Sequence, residues 1–150
     1  MRTFSTPDDL LDAVGEQLGT SDWLEITQER VNQFADATDD HQWIHVDPER
    51  AKTGPFGRTI AHGYLTLSLL PVLLRQIYRV ENTSMVINYG LNKVRFPAPV
   101  PVGSRIRATS TLSDAKPVDG GVQVELTTTV EVEGGSKPAC VAVNVVRIYR

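Results

Sequence analysis

The chain has 150 residues, 41% of them hydrophobic and 22% charged, a net charge of −3 and one cysteine. That length suits one domain with a core that needs no staples. The charge gives no general attraction to nucleic acid, and a lone Cys140, set in the apolar run ACVAVNVV, excludes a disulfide scaffold. The first ten residues lack the apolar core of a secretory signal and no run has the length of a membrane span, so the expected location is the cytoplasm.

In chain order, residues 7–18 (PDDLLDAVGEQL) have a helical spacing, with Leu10, Leu11, Val14 and Leu18 on one stripe. SDWLEIT reads as a first strand. Thr27 is placed to cap a helix that runs to about Ala37, with Val31, Phe34 and Ala35 inward. The next stretch, DDHQWIHVDP, is too irregular for one long helix. Asp47-Pro48 then opens a short helix, PERAKT, that stops at Gly54. GPFGRTIAHG is rich in breakers and reads as a loop. From Gly63 to about Val80 runs GYLTLSLLPVLLRQIYRV, apolar nearly all round. This pattern predicts one long buried helix, bent at Pro71.

The second half alternates. SMVINYGLNKVRF is a long strand ending at Pro97. In SRIRATSTL, Ile106, Ala108 and Leu112 face inward. In VQVELTTTVEV, Val122, Val124, Leu126, Val130 and Val132 do so. VDGG and EGGS are turns, and ACVAVNVVRIYR, apolar on both faces, is a more central strand. Helices followed by strands indicate an α+β fold, with an antiparallel sheet of about five strands wrapped around one long helix.

Two features carry chemistry. Asp40 and His45 are a carboxylate and an imidazole at short range. A carboxylate can orient a histidine or share a water with it, although such spacing also occurs by chance. His62-Gly63 opens the long apolar segment. Glycine at a helix start leaves free amides that can receive an oxyanion. His41 and His45 have the i, i+4 spacing of a zinc pair, but the glutamate of the His-Glu motif is missing, so water activation is preferred to metal binding. Lys93, Arg95, Arg105 and Arg107 alternate along two strands. They are candidates for the phosphates of coenzyme A, and a solvated outer face explains them as well.

FADATDDHQWIHVDPERA, followed by GPFGRTIAHGYLT and VRFPAPVPVGSRIRA, resembles the MaoC-like (R)-specific enoyl-CoA hydratases from about Thr27 to the end. Phe34, Asp40, Ile44, His45 and Ala51 stand at the positions of the family pattern. Asp39 replaces its glycine, and Gln42-Trp43 replace its Asn-Pro, which bears on the loop and the acyl pocket. The resemblance implies a single hot-dog domain and a homodimer with its site near the subunit interface. It implies Asp40 and His45 as catalytic residues and the Gly63 amide as oxyanion donor. Trp43, His62, Lys93 and Arg95 are candidate substrate contacts, although His62 is more simply a helix-entry residue hydrogen-bonded to backbone. The substrate is then an acyl-CoA thioester, with no cofactor, no metal, no membrane and no nucleic acid. The expected activity is hydration of trans-2-enoyl-CoA to (R)-3-hydroxyacyl-CoA. The alternatives are a 3-hydroxyacyl-carrier-protein dehydratase, an acyl-CoA thioesterase on the same fold, and a non-catalytic acyl-thioester binding subunit.

Overall fold

The computed structural model describes residues 1–150. Strand β1 (Arg2–Phe4) is followed by a 3-10 turn over Pro7–Asp12, β2 (Gln17–Thr20) and β3 (Leu24–Glu25). The single helix expected over 7–18 is therefore two elements. Gly15, at φ +93°, cannot continue a helix, and beyond it the chain extends to pair with the sheet. Leu10 and Leu18 are both buried, but from different elements.

Helix α1 (Gln28–Thr38) forms where the cap and periodicity place it, and the Thr27 side chain accepts from the Arg30 amide. Val31 and Ala35 are fully buried and Phe34 is half-buried. Two short helices follow: α2 (Trp43–Val46) and α3 (Pro48–Ala51), the latter capped by Asp47. The stretch between α1 and α3 thus contains one helical turn, and His45 sits on that turn.

The long apolar segment is interrupted. It forms α4 (Gly63–Ser68) and α5 (Leu70–Ile77), divided at Leu69, and ends as strand β4 (Tyr78–Val80). Pro71 lacks the N–H that would continue the ladder, which accounts for the break beside it. β4 pairs in parallel with β1. Nor is the segment buried on all sides. Leu65, Leu69, Leu70, Leu73, Leu74 and Ile77 face the core, while Tyr64, Ser68 and Val72, at i, i+4 and i+8, form an open line.

The remaining strands are β5 (Met85–Arg95), β6 (Arg105–Val118), β7 (Gly121–Val132) and β8 (Cys140–Tyr149). They form an antiparallel sheet in the order β2-β6-β7-β8-β5, with β3 also on β6. The alternation read from the sequence is the alternation of burial: Ile106, Ala108, Leu112, Val122, Val124, Leu126 and Val130 are at 1% exposure or less. β8 lies between β7 and β5, the central position expected of it. The sheet curves over α4 and α5, and their apolar faces share one core. β5 is different. It is the last strand of the order, and Met85, Val86, Ile87, Tyr89 and Leu91 are all exposed.

Candidate active site

The fold places α2, the loop at residues 59–62 and the start of α4 together. His45 is 7% exposed. Its Nδ1 donates to the Ile60 carbonyl at 2.7 Å, because a carbonyl only accepts; Nε2 is left as a lone pair. Two bonds hold the turn beneath it, and a third ties Gln28 to the loop. The Ile60 amide donates to the Ile44 carbonyl at 2.9 Å. Gln28 Nε2 donates to the His45 carbonyl at 2.7 Å, and Gln28 Oε1 accepts from Thr59 Oγ1 at 2.6 Å. Gln28 is the first residue of α1, so it joins that helix to both the turn and the loop.

Asp40 lies at the rim, its side chain 51% exposed. Its main-chain oxygen accepts from His62 Nε2 at 3.0 Å, and its carboxylate is 4.0 Å from the same nitrogen. One ligating atom each of Asp40, His45 and His62 lies within 4.8 Å of the others. A single water making two hydrogen bonds of about 2.8 Å spans such a gap. The rings of His45 and His62 are stacked, 3.8 Å apart at 24°. His41 is elsewhere, exposed and 2.9 Å from Asp36, so the i, i+4 histidines do not meet at one point.

Burial pushes the His45 imidazole below its ordinary value. The Ile60 carbonyl and the Asp40 carboxylate oppose this, and His62 reinforces it. Two consequences follow from the sign. The acidic limb of a pH–kcat/KM profile that requires neutral His45 should lie below 6.5, the ordinary value, measured by initial rates across pH. As pH falls through 6.5, the unfolded chain takes up a proton that the native chain resists, so stability should decline over that window.

Gly63 begins α4, where the first amides have no intrahelical acceptor. A Cβ here would meet the Phe96 ring at 3.1–3.2 Å, so any larger residue must push that exposed ring back by a few tenths of an ångström, and glycine also leaves the amide open. A crevice of about 320 Å³ starts at Gly63, walled by Phe56, Ile60, Phe96, Val100 and Ala139. Larger grooves, of about 410 and 430 Å³, lie between α5 and β5, away from the dyad.

The other sequence candidates separate. His62 is at the centre of the site, 2% exposed. Trp43 is half-buried beneath Arg50, whose guanidinium lies 4.3 Å from its ring centre, and beside Gly54. Lys93 and Arg95 are exposed on β5. Arg105 and Arg107 are paired with Glu133 and Glu131 on the outer face and lie over Trp23. Gln28, Thr59 and Phe96 were not foreseen. Nothing in their spacing singles them out, because each acts through a partner far along the chain.

The departures from the pattern have local explanations. Asp39 has φ +60° at the C-terminus of α1, a conformation suited to glycine and tolerated by aspartate. Asp39→Gly should therefore hold or raise Tm, while Asp39→Val should lose about 1–2 kcal/mol in denaturant unfolding. Gln42 is the N-cap of α2 and makes no side-chain cap, and Trp43 is its first residue. Asparagine and proline are the residues favoured at those two places.

The MaoC like domain family matches residues 9–134. The chain is 65% identical over 148 residues to 3-hydroxyacyl-thioester dehydratase Z of Mycobacterium tuberculosis (strain ATCC 25618 / H37Rv), with 98% of each protein covered. It is 46% identical over 137 residues to Nodulation protein N of Rhizobium meliloti (strain 1021), covering 89% of this chain and 85% of that one. Among solved structures, the (R)-hydratase from A. caviae involved in PHA biosynthesis superposes with a TM-score of 0.72 at 28% identity, over 89% of this chain and 94% of the other.

Proposed function

The chain belongs to the MaoC-like dehydratase family and is a hydro-lyase, and from that premise we propose that it interconverts trans-2-enoyl-CoA and (R)-3-hydroxyacyl-CoA. The observation that carries this reading is an Asp40 carboxylate oxygen and a His45 ring nitrogen within 4.8 Å of each other, with Nδ1 committed to Ile60 so that Nε2 is the nitrogen free to take a proton. In hydration, Nε2 takes a proton from that water while Asp40 orients it. The water oxygen bonds to the β-carbon. The π electrons move toward the thioester, and the Gly63 amide donates to the enolate oxygen as charge develops. The proton taken from the water is returned to the α-carbon, so one water is added overall. Dehydration is the same path reversed. The thioester itself acidifies the α-position, so the chemistry requires no metal or redox cofactor.

The crevice at Gly63 suits the thioester end of the acyl chain. Arg95, adjoining Phe96, and Lys93 are exposed cations for the phosphates of coenzyme A. Trp43 supports the turn that carries His45. The name of the 65%-identical relative specifies a 3-hydroxyacyl thioester and not its carrier, so dehydration of a carrier-protein thioester is the second reading.

We place the protein in the cytoplasm; no helix is long and apolar enough to cross a membrane. We also assign it a homodimeric state. β5 has an unpaired edge and apolar side chains on both faces, and the Tyr64–Ser68–Val72 line is uncovered. Pairing with a second copy covers both surfaces and satisfies the edge.

The test is loss of the enoyl-thioester absorbance of crotonyl-CoA, with chirality read on the product. An (R)-product supports the reading. No turnover with short- and long-chain enoyl-CoAs removes the CoA reading and leaves the carrier-protein one.

A further inference from the structure

One buried side chain has no task in the chemistry above. His62 Nε2 carries the hydrogen it donates to the Asp40 main-chain oxygen at 3.0 Å. Its Nδ1 is buried and has no hydrogen-bond partner. A residue that only filled this space would be apolar, because an orphan nitrogen in the interior is a cost without a return. The ring also lies flat on His45, with centroids 3.8 Å apart, and Phe34 packs on it at 4.9 Å.

These contacts join two groups that are otherwise loosely related. The only hydrogen bond of the Asp40 carboxylate is a 3.4 Å one from the Gln42 amide, and His62 Nε2 lies 4.0 Å from it. The His45 ring is held at one nitrogen, which fixes a point and leaves the plane free to tilt. His62 grips the main chain of the first and the plane of the second.

We propose that His62 is a positioning residue that sets the mutual register of Asp40 and His45, keeping carboxylate and imidazole one water apart. The proposal rests on the hydro-lyase reading and assigns His62 a role in it without contact to the reacting atoms.

The test compares His62→Gln and His62→Asn in the full chain. The glutamine amide reaches the place of Nε2 and keeps the donor to Asp40; the asparagine amide falls short, and both remove the stacked ring. His62→Asn should lower kcat about 100-fold with KM little changed, and His62→Gln should recover to within about tenfold of wild type, since small misplacements of reacting groups have effects of this size. The titratable groups that face His45 are Asp40, from the loop before α2, and His62, from the start of α4. Removing the facing imidazole should therefore move the acidic limb of kcat/KM upward in both variants.

Ring-nitrogen NMR gives a readout without turnover: the His45 Nδ1 proton should be protected in wild type and exchange rapidly in His62→Asn. Unchanged kcat and an unmoved limb would overturn the proposal. So would a loss of activity that tracks Tm, with no rescue by glutamine. If wild type turns over no substrate, the functional reading fails, and the NMR comparison still decides the role of His62.

Discussion

Asp40→Asn and His45→Ala are each expected to lower kcat for crotonyl-CoA hydration by about 10²–10⁴-fold, the usual range for loss of a general acid or base. The two variants separate chemistry from folding. Asp40 is half exposed, and its carboxylate accepts only the 3.4 Å hydrogen bond from the Gln42 amide, so the asparagine variant should unfold within about 0.5 kcal/mol of wild type. His45 is buried and donates to Ile60, so its loss should also remove about 1–3 kcal/mol of stability by leaving that carbonyl without its donor. Steady-state rates on variants first matched for unfolding midpoint check both effects. More than a tenth of wild-type activity in Asp40→Asn would remove the carboxylate from the mechanism.

Leu73→Ala is expected to have the largest effect on stability, a loss of about 2–5 kcal/mol. Leu73 is fully buried on α5, in the core that the helix shares with Ile106, Leu112, Val124 and Leu126. Truncation leaves a cavity between a helix and a curved sheet, and neither can move inward without losing contacts elsewhere. Urea unfolding should show a lower midpoint at unchanged slope, because the surface exposed on unfolding is nearly the same. A loss below 1 kcal/mol would mean that the core collapses around the site, and that Leu73 is not a fixed point of the packing.

Much of this was legible in the sequence, and the reason differs by element. The strands β6 and β7 could be read because one face is buried and the other is not, so a period of two is written directly into the residues. α1 could be read because Thr27 caps it and Val31 and Ala35 share one side. The long apolar segment was misread at both its end and its surroundings. Periodicity reports which residues are apolar, and not whether a second surface covers them. Tyr64 and Val72 are apolar and exposed. At its end, Tyr78–Val80 leaves the helix to pair with Arg2–Phe4, a partner more than seventy residues away that no local pattern reveals.

The site divides in the same way. Asp40, His45 and Gly63 stand out by residue type and by their match to a pattern. The ties that aim them come from Gln28, Thr59 and the Ile60 carbonyl, and these are ordinary residues made important by distance in space. The stacking of His45 on His62, seventeen positions apart, belongs to the same class.

The outer edge of β5 has a further consequence, for assembly rather than catalysis. A row of unpaired main-chain groups accepts any extended chain of suitable length, correct or not. Lys93 and Arg95 place positive charge at one end of the strand, and such charges discourage indiscriminate pairing. Met85–Leu91 has no charged residue and exposes five large apolar side chains. The risk of mispairing in a newly made or refolding chain is therefore concentrated in seven residues of one strand.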